Sequence, residues 1–158
     1  MCSSDLDAIE PWIRDSQAFV DNGGNLDKIK SRIEELGITV ESAIGFANWI
    51  VDDDQKRAEG LETARHDMKL VKAIGGTRIA APPVGATNQE DLDLFKAATR
   101  YRDLLEVGKE EGVTPPLELW GFSKSIGRLG EWMFVAVESG HPGACMSAEF
   151  YPYHQRGS

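Results

Sequence analysis

One carboxylate is distinguished from the others in this sequence by its neighbours. Glu118 lies between Leu117 and Leu119, in a short apolar run with the length and composition of a β-strand. Moving a carboxylate from water into such a run is costly unless the charge is paired or bound to a metal. The pattern therefore predicts that Glu118 either binds a metal ion or pairs with an arginine or lysine.

Aromatic and polar side chains that could hold a substrate follow the predicted strands. Trp12, Trp49 and Trp120 each come just after one, and aromatic faces pack well against the C–H faces of a sugar. Asn48 could hydrogen-bond a hydroxyl group, and Lys124 could neutralise a phosphate. The alternatives are core packing for the tryptophans and a solvated position at a helix start for Lys124.

Composition narrows the classes of function. Of the 158 residues, 41% are hydrophobic and 27% are charged, as in an ordinary globular domain, and no apolar run reaches the roughly 18 residues of a membrane span. The net charge of −9 disfavours nucleic acid as a partner. Cys2 and Cys145 lack the spacing of a zinc site or a disulfide framework. Because no signal-peptide pattern is present, we predict a cytoplasmic location.

The order of the predicted elements indicates a parallel α/β fold, in which strands alternate with helices. Strands are predicted at 7–11, 39–45, 77–81, 117–120 and 144–150. Helices are predicted after an Asn25 cap, after an Asp52–Asp54 cap, from Asn88, and from about Lys124 to Val137. The strand spacing suits an eight-unit barrel, which averages about 31 residues per unit. A doubly wound sheet would alternate in the same way, but the glycine-rich dinucleotide fingerprint and the P-loop are both missing.

Three segments together carry a family resemblance. They are residues 44–53 (IGFANWIVDD), 74–83 (IGGTRIAAPP) and 113–131 (VTPPLELWGFSKSIGRLGE). Their order and spacing resemble the third, fourth and fifth strands of the xylose isomerase-like barrel family of sugar phosphate isomerases and epimerases. The resemblance implies a partial (β/α)8 TIM barrel, with about five parallel strands and outer helices, that corresponds to strands two to six.

The same resemblance implies a metal centre. It places a metal-binding glutamate at Glu118, and it places Glu149 where the family has an aspartate that binds the same ion. The family's histidine three residues later is replaced by Pro152, and His154 is the nearest substitute. Carboxylates suit Mn²⁺ or Mg²⁺, and an added histidine would widen the choice to Co²⁺ or Zn²⁺. In the family, a further histidine and a further glutamate come from the seventh and eighth strands.

The activity implied by the resemblance is isomerisation or epimerisation of a sugar or sugar phosphate. The metal would hold a carbonyl and a hydroxyl group while Glu118 and Glu149 move a proton. A lyase acting on a keto-inositol-like substrate is closely related. An endonuclease at abasic DNA sites shares the barrel, but the acidic charge and the three histidines weigh against it. Pro152 supports a third alternative, a non-catalytic barrel that binds a ligand or partner.

The two ends of the sequence give two further expectations. Residues 1–6 are predicted to be a non-native leader, and residues 7–158 the partial barrel domain. A part-barrel is expected to have little or no isomerase activity, and to self-associate through its open strand edges.

Overall fold

The computed structural model describes residues 6–147. Glu149, Pro152 and His154, together with residues 1–5 of the predicted leader, lie outside this range. The strands are β1 (Ala8–Ile9), β2 (Thr39–Val40), β3 (Leu117–Glu118) and β4 (Met146–Ser147). The helices are α1 (Ile13–Asp21), α2 (Leu26–Glu35), α3 (Asp54–Ala73), α4 (Leu94–Glu111) and α5 (Leu129–Glu138). None of the helices in the described range has both the length and the apolar character that crossing a membrane requires.

The strands associate in chain order and are all parallel. β1 pairs with β2, and β3 pairs with β4. The extended segment 77–81, which we call the bridge segment, connects the two pairs. The Ala80 N–H donates to Ala43 O (2.8 Å) on one side, and the Ala81 N–H donates to Pro116 O (2.9 Å) on the other. The predicted partial barrel with five parallel strand segments and outer helices is confirmed, although the regular strands are shorter than predicted.

Two predicted helix starts are confirmed by their caps. The Asn25 side chain accepts a hydrogen bond from the Asp27 N–H (2.7 Å), which satisfies one of the unpaired amides at the start of α2. Asp53 caps α3 by accepting from the Lys56 N–H (2.9 Å), and its negative charge also suits the helix N-terminus.

Two predicted helix starts are wrong, and one helix was not predicted. α4 begins at Leu94 rather than at Asn88, because Asp93 is the residue that caps it. α5 begins at Leu129 rather than near Lys124, because the preceding residues hydrogen-bond to another loop instead of to a helical turn. α1 follows β1 directly; it buries only two side chains and has no side-chain cap, so its sequence signal is weak.

The main core lies between the sheet and helices α3, α4 and α5. A smaller cluster of Ile33, Val40 and Ile74 joins α2, β2 and the end of α3. Fully buried side chains in the main core include Trp49, Ile50, Met68, Val71, Tyr101, Leu117, Leu119, Ile126 and Val135. Leu117 and Leu119 thus face the helices, and this fixes which face of β3 is turned away from them.

Tyr101 holds β3 and the approach to β4 together from α4. Its hydroxyl oxygen lies 3.0 Å from Pro115 O and 2.8 Å from Cys145 O, either of which accepts its proton. The same oxygen accepts the Leu117 N–H at 3.2 Å. Burial raises the pKa of the Tyr101 phenol well above its ordinary value, so the group remains a hydrogen-bond donor.

Asp67 on α3 is a partly buried carboxylate in a mostly apolar setting. It lines a small cavity with Gly45, Met68 and Ile79. Burial raises its pKa from 3.8 to about 6, and the neighbouring His66 opposes part of this shift. The carboxyl of Asp67 thus ionises at a lower pH in the unfolded chain than in the folded protein. As the pH rises from about 4 to about 6, this difference lowers the free energy of unfolding.

We predict that Tyr101→Phe lowers the free energy of unfolding by about 1–3 kcal/mol, because it leaves buried backbone groups unsatisfied. Urea denaturation followed by circular dichroism measures the change. Thr99→Val, which removes an exposed hydroxyl group from the same helix, is the control and should change stability by less than about 0.5 kcal/mol. Equal effects of the two substitutions would refute the bridging role of Tyr101.

We also predict that Asp67→Asn stabilises the protein at about pH 7.5 by about 1–2 kcal/mol, a value discounted for partial exposure. The gain should shrink towards zero at about pH 3, where the wild-type carboxyl is largely protonated in both the folded and the unfolded states. Urea denaturation of both proteins at the two pH values measures the difference. Asp103→Asn, at an exposed position on α4, is the control. A gain that does not depend on pH would contradict the assignment.

Candidate active site at the carboxyl ends of the strands

Glu118 ends β3 on the sheet face opposite the helix layer. Its neighbours Leu117 and Leu119 are 0% and 2% exposed in the core, so the alternation of a strand places Glu118 on the inner face of the part-barrel. Glu118 is itself 8% exposed, and its N–H donates to Ala81 O (3.2 Å). Barrel enzymes place their reacting groups at this end of the strands.

Four aromatic rings form a continuous row at the same end of the sheet. Trp12 follows β1, Phe46 follows β2, and Trp120 and Phe122 follow β3; we call these four side chains the aromatic row. Successive ring centroids are 5.3, 6.2 and 5.1 Å apart in that order. The last pair is stacked, with an interplanar angle of 28°.

The aromatic row remains open to solvent. Trp12 is 38% exposed, Phe46 39% and Phe122 55%, and Trp120 is partly buried. The sequence predicted the two tryptophans at this end but not the two phenylalanines. Their signal was the same as that of the tryptophans, because each also comes just after a strand.

Trp49 occupies the core rather than the mouth of a pocket. It is 1% exposed, its indole N–H donates to Pro82 O (2.8 Å), and its ring lies 5.7 Å from that of Tyr101. Its surface and its polar group are both occupied by the protein. The structure therefore gives Trp49 the core-packing role that the sequence held as the alternative.

Asn48 lies on the loop between β2 and α3, and it is exposed. The backbone of this loop packs directly on α3, where a Cβ at Gly60 would lie only 2.5 Å from Asn48 O. Only glycine allows this approach without a shift of the backbone. The contact holds the Asn48 backbone at the carboxyl end of the strands.

The same loop is held from α4 by Arg100, which is almost fully buried. Its guanidinium donates to Ile50 O (2.7 Å) and to the Asp52 carboxylate (2.7 Å). Hydrogen bonds from Arg100 and then from Gln89 keep the pKa of Asp52 below its ordinary value, so the pair stays charged. Asp52 therefore acts in the support of the loop and is not available as a proton donor at neutral pH.

Lys124 lies in the loop after β3, and it is already paired. Its Nζ is 2.8 Å from Glu90 Oε1, and its backbone N–H donates to Thr87 O (2.8 Å). Because α5 begins at Leu129, Lys124 is not at a helix start. A phosphate at this position would compete with Glu90 for the ammonium.

Two buried serines hold this loop in one conformation. The Ser125 hydroxyl donates to Ala86 O (2.7 Å), and the Ser123 hydroxyl donates to Ser125 O (2.6 Å). The next residue, Ile126, is fully buried although its φ of 51° lies in the left-handed region, where a β-branched residue is rare. The packing and hydrogen bonds thus hold Trp120 and Phe122 on a rigid loop.

The inner face of the sheet forms a groove of about 520 Å³. Its lining includes Glu10, Glu41, Ser42, Arg78 and Met146. Arg78 and Glu41 form an ion pair across neighbouring strands. A polar inner face of this kind could admit water or a polar ligand towards the strand ends.

The predicted metal ligands are only partly represented in residues 6–147. Within that range, no three histidine, cysteine, aspartate or glutamate side chains come close enough to hold an ion together. Glu118 suits a hard cation, because carboxylate oxygens are the preferred ligands of Mg²⁺ and Mn²⁺. One carboxylate does not form a metal site, so a complete set of metal ligands would need side chains from outside the described range.

Solved structures of the same fold include several sugar epimerases. A protein described as "IOLI protein with a binding zinc atom" superposes with a TM-score of 0.83 and 14% identity, over 96% of this chain and 56% of that one. D-allulose 3-epimerase from Methylomonas sp., in complex with D-allulose, gives 0.77 and 14%, over 99% and 56%. 3-Keto-D-glucoside 4-epimerase from E. coli gives 0.71 and 17%, over 98% and 72%.

These similarities show the fold, and the chain spans about half the length of most of these structures. No curated protein sequence matches it. The family model described as xylose isomerase-like TIM barrel matches residues 3–146. The chain therefore belongs to the xylose isomerase-like TIM barrel family.

Proposed function

We propose that this chain is part of a metal-dependent isomerase or epimerase that acts on a sugar or sugar derivative. The observation that carries the proposal is Glu118, a buried carboxylate on the inner face at the carboxyl end of β3. Its position beside an open aromatic row combines a group that can bind a cation or move a proton with a surface that suits a sugar. The family and the epimerases that share its fold support this choice.

In this proposal, Glu118 is one ligand of a divalent cation, and Glu149 and His154 are its companions from outside the described residues. When bound, the cation would polarise the carbonyl and hydroxyl groups of the sugar. Glu149 also serves as the second carboxylate for proton transfer at the carbon beside the carbonyl. The contribution of the described residues is to hold Glu118 at the end of β3.

The substrate is proposed to lie along the inner side of the aromatic row. Trp12 and Trp120 stack on the C–H faces of the sugar, and Asn48 hydrogen-bonds one of its hydroxyl groups. Among the named structures, one contains D-allulose, and another protein is named for a 3-keto-glucoside. Both names describe carbohydrates, which agrees with a site built from aromatic rings and a buried carboxylate.

Cleavage of abasic DNA is a weaker candidate. The net charge of −9 repels a phosphodiester backbone, and Lys124 is already paired with Glu90. A non-catalytic binding role would keep the aromatic row but would not require a carboxylate at Glu118. Substitution of Glu118 therefore distinguishes a metal-dependent enzyme from a non-catalytic binding protein.

We predict that Glu118→Gln weakens Mn²⁺ binding about tenfold or more, because it removes a charged ligand while keeping the side-chain shape. Titration followed by the electron paramagnetic resonance signal of free Mn²⁺ measures the affinity. Glu138→Gln, at the exposed end of α5, is the matched control and should bind like the wild type. Unchanged Mn²⁺ affinity in Glu118→Gln would make Glu118 a structural residue.

Turnover is best tested in a chain extended by the three further βα units of an eight-unit barrel. There, Glu118→Gln should lower kcat/KM for exchange of the sugar C–H proton with solvent deuterium by about 10²-fold or more. Nuclear magnetic resonance detects this exchange directly. Full exchange by the variant would refute the catalytic assignment.

A further inference from the structure

The aromatic row is longer than one sugar ring. A pyranose ring is similar in size to a single phenyl ring, and the row has four rings whose neighbouring centroids are each more than 5 Å apart. A monosaccharide that stacks on Trp12 and Trp120, as proposed above, would lie over the part of the row from Trp12 through Phe46 to Trp120. Phe122, the most exposed ring of the four, would remain uncovered.

The rings that extend the row are fixed in place and do not belong to the core. Phe122 is 55% exposed although it stacks on Trp120, and its loop is anchored by the buried Ser123 and Ser125 hydroxyls. Exposed aromatic surface on an anchored loop costs little entropy when a ligand covers it, because the loop is already ordered. The arrangement suits a second ring that stacks beyond the reacting sugar.

The charges beside the aromatic row favour a neutral ligand. Arg14 and Lys124 are the cations closest in sequence to its two ends. The Arg14 guanidinium lies 4.0 Å from the centroid of the Trp12 ring and 3.7 Å from the Asp15 carboxylate, and Lys124 is paired with Glu90 at 2.8 Å. A phosphate group at either end would therefore compete with a carboxylate for its cation, within a protein whose net charge is −9.

We propose that the site takes a neutral glycoside with two rings, in which the reacting sugar lies beside Glu118 and the second ring stacks on Phe122. This inference rests on the proposed sugar chemistry and narrows its substrate class from sugars and sugar phosphates to glycosides. It makes Phe46 and Phe122 specificity-determining residues that contact the ligand without taking part in proton transfer.

The test compares three probes by saturation-transfer nuclear magnetic resonance and by tryptophan fluorescence. They are phenyl β-D-glucopyranoside, methyl β-D-glucopyranoside and glucose 6-phosphate. The phenyl glucoside should bind about five- to tenfold more tightly than the methyl glucoside, and its phenyl protons should receive saturation from the protein. Glucose 6-phosphate should bind no better than the methyl glucoside.

Phe122→Ala should remove most of this preference, and Phe46→Ala should weaken binding of both glucosides. Phe95→Ala is the matched control, because Phe95 is 63% exposed on α4 and contacts Phe134 instead of the aromatic row. Since these phenylalanines are exposed, all three variants should keep the wild-type circular dichroism spectrum.

Three outcomes would overturn the proposal: equal affinity for the two glucosides, tighter binding of the phosphate, or no binding of any probe. None of these measurements requires metal or turnover. If the glucosides fail while Glu118→Gln still weakens Mn²⁺ binding, the two-ring ligand is wrong and the metal-dependent function stands. If the phenyl glucoside binds as expected while Glu118→Gln has no effect, the stacking surface stands and the enzymatic assignment fails.

Discussion

The hydroxyl group of Tyr101 lies between two strands and meets four backbone groups there, two carbonyl oxygens and two amides. It reaches them from α4, and so the helix layer is connected to the pair of strands that carries Glu118. β3 contributes only two regular strand residues, too few for its own ladder of hydrogen bonds to hold it firmly. The position of Glu118 therefore depends on a side chain in the layer behind it.

Arg100, the residue before Tyr101 on α4, anchors a second loop in the same way. Its guanidinium binds the loop after β2 through Ile50 O and Asp52, as Tyr101 binds the residues around β3. A single helix thus sets the relative positions of two loops that carry Phe46 and Trp120. The candidate active site is formed by residues far apart in sequence, and α4 supports the loops and strand that carry them.

The sequence predicted those features that depend on neighbouring residues alone. The carboxylate between two leucines identified Glu118, and the cap at Asn25 identified the start of α2. The start of α5 could not be predicted in this way, because Ser125 hydrogen-bonds to a loop 39 positions earlier instead of joining a helix. The contacts that make the aromatic row continuous could not be predicted for a similar reason, since Phe46 and Trp120 meet only once the strands are side by side.

The consecutive prolines Pro115 and Pro116 have a consequence for how this chain can change during evolution. Their carbonyl oxygens accept hydrogen bonds from Tyr101 and Ala81, and they precede the strand whose alternate residues face opposite ways. One inserted or deleted residue here would turn Glu118 towards the helices and a leucine towards the groove. Length variation among natural homologues should therefore be rare at residues 113–119, and it should collect in the turn at 22–24, which is largely exposed and forms no helix or strand.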